Sequence, residues 1–448
     1  MTAPSLLPFC VAILAVTALC GETVGSSFGP LSYQLSMRAG FKDADGQSVT
    51  GTEIMNLVPY KGRLYASNSL WMEKDPAVPK ACQVLVLGSP KGQWRVEHQF
   101  SVRNVRLCCL MTATFGTDGK GNRIDERTLL LAAPDVASGP VSIYSRNDDN
   151  GEWVPMTLGT SETHASTRAM GLHRDTVTGI DRVFAGTDKL GMLSGVYDPS
   201  VPGRIRWEKA PEMQIPEGER AMGFCTCNGK LYGATSRHIY ERTDGASPSW
   251  RQAYFCPQET SPCGVRGLTA VPNPSGHGEA LLVAALSRVR RIDPAAGFEE
   301  TVELDIPAFM TKSLGVRVPF ALSAYNEFMP YKMPGTGELV WLFGFESSYP
   351  RAVMEATPPP LLRVLVKESV HHYFAAEARY FIRHAQGQTI RYELAEVADP
   401  AKPTLVAVRA IAASPFAEDR GNAFYFGGFD CNAVPSHNTA WIYRGERP

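Results

Sequence analysis

The sequence predicts an all-β fold: a seven-bladed β-propeller of four-stranded antiparallel blades, closed by its own N-terminal strand. Three observations predict it. One strand pattern recurs about every fifty residues, no amphipathic helical pattern of comparable strength appears outside the N-terminal leader, and a spare strand near the start of the chain matches one missing at the end.

In chain order, the first element is a leader. Residues 6–20 (LLPFCVAILAVTALC) form an apolar run of signal-peptide length, too short to span a membrane, followed by small and polar residues. Ala18 and Cys20 stand at −3 and −1 of a cleavage site before Gly21, so residues 1–20 read as a signal peptide and the protein as secreted or periplasmic. The alternatives are a lipoprotein acylated at Cys20 and an uncleaved anchor. The spare strand follows at residues 31–41 (LSYQLSMRAGF).

The seven units open near Glu53, Arg106, Arg168, Arg220, Arg266, Phe320 and Arg409, where the first strand of each begins. Second strands read RLYAS, TLLLAAP, RVFAGT, KLYGAT, ALLVAAL, LVWLFGF and AFYFGGF, and fourth strands begin near Trp94, Trp153, Trp207 and Trp250. Alternating apolar residues, β-branched and aromatic enrichment, and Asn/Asp/Gly turns make these strands. Unit seven stops after its third strand, TAWIYRG, so the segment 31–41 is expected to supply the fourth and close a ring over residues 29–446.

Composition narrows the partners. A net charge of −1 in 448 residues gives no overall pull toward nucleic acid or anionic membrane, and no later segment is apolar enough to span one. Eight cysteines remain after cleavage, and Cys256 and Cys263, bracketing a short proline-containing loop, are the one specific disulfide expected. Cys225-Thr226-Cys227 has poor chelate spacing for zinc, and the run from Asp118 to Glu126 has calcium-loop composition without EF-hand spacing. No metal or cofactor is therefore expected.

The turn from Ser145 to Trp153, through Asp148, Asp149 and Gly151, and the turn Thr243-Asp244-Gly245 leading to Trp250 resemble the Asp-box of secreted sialidase-like propellers, one residue short of its register. The resemblance implies fold, since in that family the turn is structural and lies away from the active face.

In an up-and-down blade, the start of strand one and the end of strand two share a face, and strand one is innermost. The opening position is arginine in five units (Arg106, Arg168, Arg220, Arg266, Arg409), the exceptions being Glu53 and Phe320. The end of strand two is polar in all seven: Asn68, Asp135, Asp188, Ser236, Ser287, Glu346 and Asp430. One reading is a structural arginine–carboxylate pair in each blade. The other is a ligand-binding rim of Arg106, Arg168, Arg220, Arg266, Arg409, Glu53, Asp135 and Asp430. Its uncompensated members would be Arg220 and Arg266, whose units offer only serines. A long insertion in unit six, 347–378, carries His371 and is expected to act as a lid over the same face, where His437 and Trp71 also fall.

The expected function is non-catalytic: an exported propeller binding an anionic or carbohydrate-type ligand, or a protein partner, at the arginine face. The alternative is a glycan-active enzyme, a sialidase-like hydrolase or a uronate lyase, with His437, Asp188, Glu346 and His371 as candidate catalytic residues. No nucleophile elbow, paired metal-binding histidines or phosphate loop supports catalysis.

Overall fold

The computed structural model describes residues 28–70, 81–256, 264–314, 320–323, 328–350, 365–367, 372–375, 378–399, 407–429 and 438–447. The leader, Trp71, Cys263, His371, Asp430 and His437 lie outside them.

Seven antiparallel blades follow the repeat. Blade 1 runs Glu53–Tyr60, Arg63–Ser69, Gln83–Leu87 and Arg95–Gln99, and blade 2 runs Leu107–Thr117, Arg123–Pro134, Gly139–Arg146 and Trp153–Ser161. Blades 3, 4 and 5 open on Thr167–Arg174, Ala221–Cys227 and Val265–Pro272, each followed by three further strands in order. Trp207 ends the fourth strand of blade 3, Ile205–Trp207, where the sequence pattern placed its beginning. A 3-10 turn at Pro202–Arg204 precedes that strand, and Glu208 N carries the pairing one residue further by donating to the Ser194 carbonyl.

Blade 6 departs most from the repeat. Its inner strand is in two pieces, Phe320–Ser323 and Met329–Lys332, both paired to one long second strand, Leu339–Pro350. The second strand runs on past Glu346 into the predicted insertion, where Pro350 pairs with His372 of the strand His372–Ala375, itself paired to Leu365–Lys367. The insertion thus continues the sheet.

Blade 7 is composite. Ala407–Ala413, Ala423–Phe429 and Trp441–Glu446 come from the end of the chain, and Ser32–Arg38 pairs antiparallel to Trp441–Glu446 as the outer strand. The seam to blade 1 is bonded further, because Thr439 and Ala440 N–H groups donate to the Gly51 carbonyl and Phe429 pairs with Glu53.

Apolar residues alternate into the spaces between blades, so the core consists of layers such as Phe115, Leu131, Ile143, Val183 and Tyr197 between blades 2 and 3. The small residues closing the second strands let blades approach. A Cβ on Gly186 would lie 2.2 Å from the Ala221 Cβ of the next blade. Buried charge also ties blades together. Arg242 of blade 4, wholly buried, bonds Asp175 of blade 3, Glu212 and Asp244.

The two Asp-box-like turns are inter-blade ties. Asp148 accepts from Tyr60 Oη (2.6 Å) and Lys61 Nζ of blade 1. Asp244 pairs with His173 Nε2 (3.0 Å) and accepts from Thr176 of blade 3. The loop at Asp118 satisfies itself, its carboxylate accepting from Lys120 N, Asn122 N and Asn122 Nδ2. Among the described residues no group of His, Cys, Asp or Glu is arranged to hold a metal ion, and no helix is long and apolar enough to cross a membrane. Cys256 is a free, buried thiol, with the Arg290 guanidinium 4.0 Å from its sulfur; no disulfide forms among the described cysteines.

Candidate functional site at the channel rim

The five arginines do share one face, but they occupy two positions of the blade. In six blades a β-bulge interrupts the pairing of the inner strand near its start, and the skipped residue is Met55, Cys108, Arg168, Met222, Arg266 or Arg409. A bulge adds one residue that the ladder does not count. Aligned on it, Arg168, Arg266 and Arg409 sit at the bulge, whereas Glu53, Arg106 and Arg220 stand two residues earlier. The ring therefore has two tiers.

Three of the polar residues ending the second strands bond backbone N–H groups at the start of their own blades. Asp135 Oδ1 accepts from the Arg106 backbone N–H (2.7 Å), Asp188 Oδ1 from Ser166 N (2.8 Å) and Ser236 Oγ from Arg220 N (3.1 Å). In blades 2 and 3 the expected arginine–carboxylate pair is replaced by this bond. These side chains cap the opening N–H of the inner strand, a backbone donor that would otherwise lack a partner beside the bulge.

The arginine partners come from other blades. Glu53, wholly buried, takes Arg106 Nε at 2.5 Å and Arg409 Nη1 at 2.5 Å, and Arg409 reaches on to Glu346 at 3.2 Å while lying over the Phe429 ring. Charges thus alternate from blade 6 through 7 and 1 to 2. Burial opposes ionisation of Glu53, but Arg106, Arg409 and, farther off, Arg168 outweigh it and hold its carboxyl below the usual range. At Glu346 burial wins over Arg409 and Arg266 and pushes the carboxyl up.

Arg266 is buried and close enough to Glu346 to act on its charge, so it is not the uncompensated cation that the sequence suggested. Of the five ring arginines, Arg168 and Arg220 make no hydrogen bond or ion pair through the guanidinium among the described residues, although Arg168 is close enough to Glu53 to act on its charge. Arg220 is exposed, and its guanidinium makes no hydrogen bond or ion pair. Arg168 is partly buried, its Nε is shut off from solvent without a hydrogen bond, and its guanidinium makes no ion pair among the described residues. Burial lowers its pKa; Cys108 opposes the shift, while the like charges of Arg106, Arg220 and Arg266 add to it. An arginine remains charged even so.

Beside them lies a residue that the repeat pattern passed over. His164, in the connection between blades 2 and 3, places Nε2 3.1 Å from Asp135 Oδ2, with Asp188 and Arg168 close enough to influence its charge. The hydrogen bond to Asp135 raises its pKa. Its position outside any strand gave no periodic signal. Of the catalytic candidates, Asp188 and Glu346 are on this face, whereas His371 and His437 lie outside the described residues.

Below the arginines a cavity of about 430 Å³ fills the centre of the ring. Arg168 and Arg409 line it together with residues of the inner strands, including Met55, Met111, Met170, Met222 and Met329.

Comparison with known proteins adds little to this geometry. No family model and no curated protein matches the chain. Among solved structures, a 6-phosphogluconolactonase-like protein of Bacteroides uniformis is similar at 14% identity and a TM-score of 0.35, over 65% of this chain and 80% of that one.

Proposed function

We propose that this protein is an exported, non-catalytic propeller that binds an anionic ligand, carbohydrate-type or on a protein partner, at the arginine-lined face. The observation that carries the reading is the pair Arg168 and Arg220, adjacent-blade guanidiniums with no hydrogen-bonded carboxylate among the described residues. A buried or channel-facing cation without a partner is costly, and an incoming carboxylate, sulfate or phosphate relieves that cost through charge-assisted bonds.

The test is calorimetric titration with acidic and neutral oligosaccharides and small anions. Acidic ligands should bind, more weakly at high salt, and the double substitution R168Q/R220Q should reduce affinity at least about tenfold, the loss of roughly one charge-assisted bond. If no acidic ligand in the panel binds better than its neutral counterpart, the reading fails.

His164 supports a second reading, a glycan-active enzyme, because an imidazole bonded to Asp135 beside free arginines is the grouping that proton transfer next to a bound carboxylate requires. Incubating the protein with polyuronates and sialosides, and assaying reducing ends and unsaturated products, checks it. Release abolished in H164N would replace the binding reading with catalysis.

A further inference from the structure

The anion site opens onto a cavity lined by the inner strands, its surface somewhat more apolar than polar. Met55, Met111, Met170, Met222 and Met329 come from blades 1, 2, 3, 4 and 6, with Leu268 of blade 5 and Ile411 of blade 7 completing the round. Carbohydrate sites need polar groups that match hydroxyls, and this lining offers few side-chain donors: Asn56, Thr112, Arg168 and Arg409. Arg409 is already engaged by Glu53 and Glu346. Methionine is unbranched and polarizable, and its side chain adapts to apolar ligands of varied shape. The cavity, about 430 Å³, lies within the range of small-molecule pockets, which are mostly apolar with a few placed polar groups.

Arg168 is the residue that belongs to both environments. It lines the cavity, its Nε is buried without a hydrogen bond, and its side chain remains partly open to the face where Arg220 is exposed. We infer that the ligand is an anionic amphiphile, a single carboxylate, sulfate or phosphate head held by Arg168 and Arg220 with an apolar body inserted among the channel methionines. The inference rests on the anion-binding reading and narrows its ligand class from acidic molecules in general to those with an apolar tail. It also supplies a reason for the unpaired guanidinium: a carboxylate supplied by the protein at that point would repel the head.

The measurement is calorimetric titration of the full chain with straight-chain carboxylates from hexanoate to dodecanoate, below their micelle concentrations, and with the matching alcohols. Affinity should rise by about fourfold per methylene, the gain expected for burying each CH₂, until the chain outgrows the channel. The carboxylates should exceed the alcohols, and R168Q should erase that difference while leaving the dependence on chain length. M222Q, on the channel wall, should do the reverse. Equal binding of hexanoate and dodecanoate, both sensitive to R168Q, would overturn the amphiphile and keep the anion site. Alcohols binding as well as acids would overturn the head-group assignment. Failure of every acid, short or long, and of the acidic oligosaccharides would remove both readings.

Discussion

Around the seam, from blade 6 through 7 and 1 to 2, the arginines belong to an alternating chain, Glu346, Arg409, Glu53, Arg106. Across the channel, in blades 3 and 4, Arg168 and Arg220 have no such partner. The same residue type opening the same strand is structural on one side and uncommitted on the other. What differs is the supply of buried carboxylates within hydrogen-bond reach, Glu53 and Glu346. One of the three pairs, Arg409 to Glu53, also crosses the seam where blade 7 meets blade 1, beside the hydrogen bonds of Ser32–Arg38 to Trp441–Glu446. The other two join blades that follow one another in the chain.

Four changes would break or sharpen that contrast. The largest effect is expected on deleting residues 29–41, which leaves blade 7 with three strands and an open edge; the cooperative melting transition should disappear. A truncated protein that melts like the full chain would show that the pairing is dispensable. Next is E53A. It removes the partner that Arg106 and the wholly buried Arg409 share, leaving Arg409 with Glu346, and breaking a buried pair in this way costs about 3–5 kcal/mol, measurable by urea denaturation. R168Q should lie within about 0.5 kcal/mol of wild type, because it breaks no hydrogen bond and its lost attraction to Glu53 is offset by relieved repulsion with Arg106, Arg220 and Arg266. Equal losses in E53A and R168Q would abolish the distinction between the two halves.

The smallest effect is a difference in pH dependence. Glu53, held below its unfolded value of about 4.3, contributes stability that is present above that pH and lost as pH falls through its lower folded value. Glu346 is pushed up, so the sign reverses: its contribution is present below about pH 4.3 and lost as pH rises through the folded value. Substituting E346Q should flatten the decline in stability between about pH 4.5 and neutrality and leave the acid limb unchanged. A stability profile across pH 3–8 that matches wild type would argue against this buried carboxyl.

The repeat was legible because strand periodicity is local. EIMNL, RAMGL and RAMGF announce inner strands by their own alternation, and TAWIYRG needed a partner that only residues 31–41 could supply. Register was less legible. A bulge at Arg168 but two residues after Arg106 changes what the arginines face, and nothing in the residue types marks it. Partners were hidden for a related reason. Asp135 follows Arg106 across one hairpin, yet it caps a backbone N–H, while Arg106 takes Glu53 from the blade before. Contacts between blades depend on packing geometry that no hairpin pattern contains. His164 was missed because it belongs to a connection, where neither strand period nor turn chemistry distinguishes a histidine from its neighbours.

The composite blade has a consequence for assembly. Six blades can form from neighbouring hairpins, but Ser32 meets Glu446 across 414 residues, so ring closure is the one step that must wait for a distant segment. While it waits, blade 7 presents an unsatisfied edge, and the strand that fits it on any other copy of the chain fits equally well. Refolding at high protein concentration should therefore yield interlinked dimers and short open oligomers, each molecule lending its first strand to the next, and dilution before refolding should suppress them.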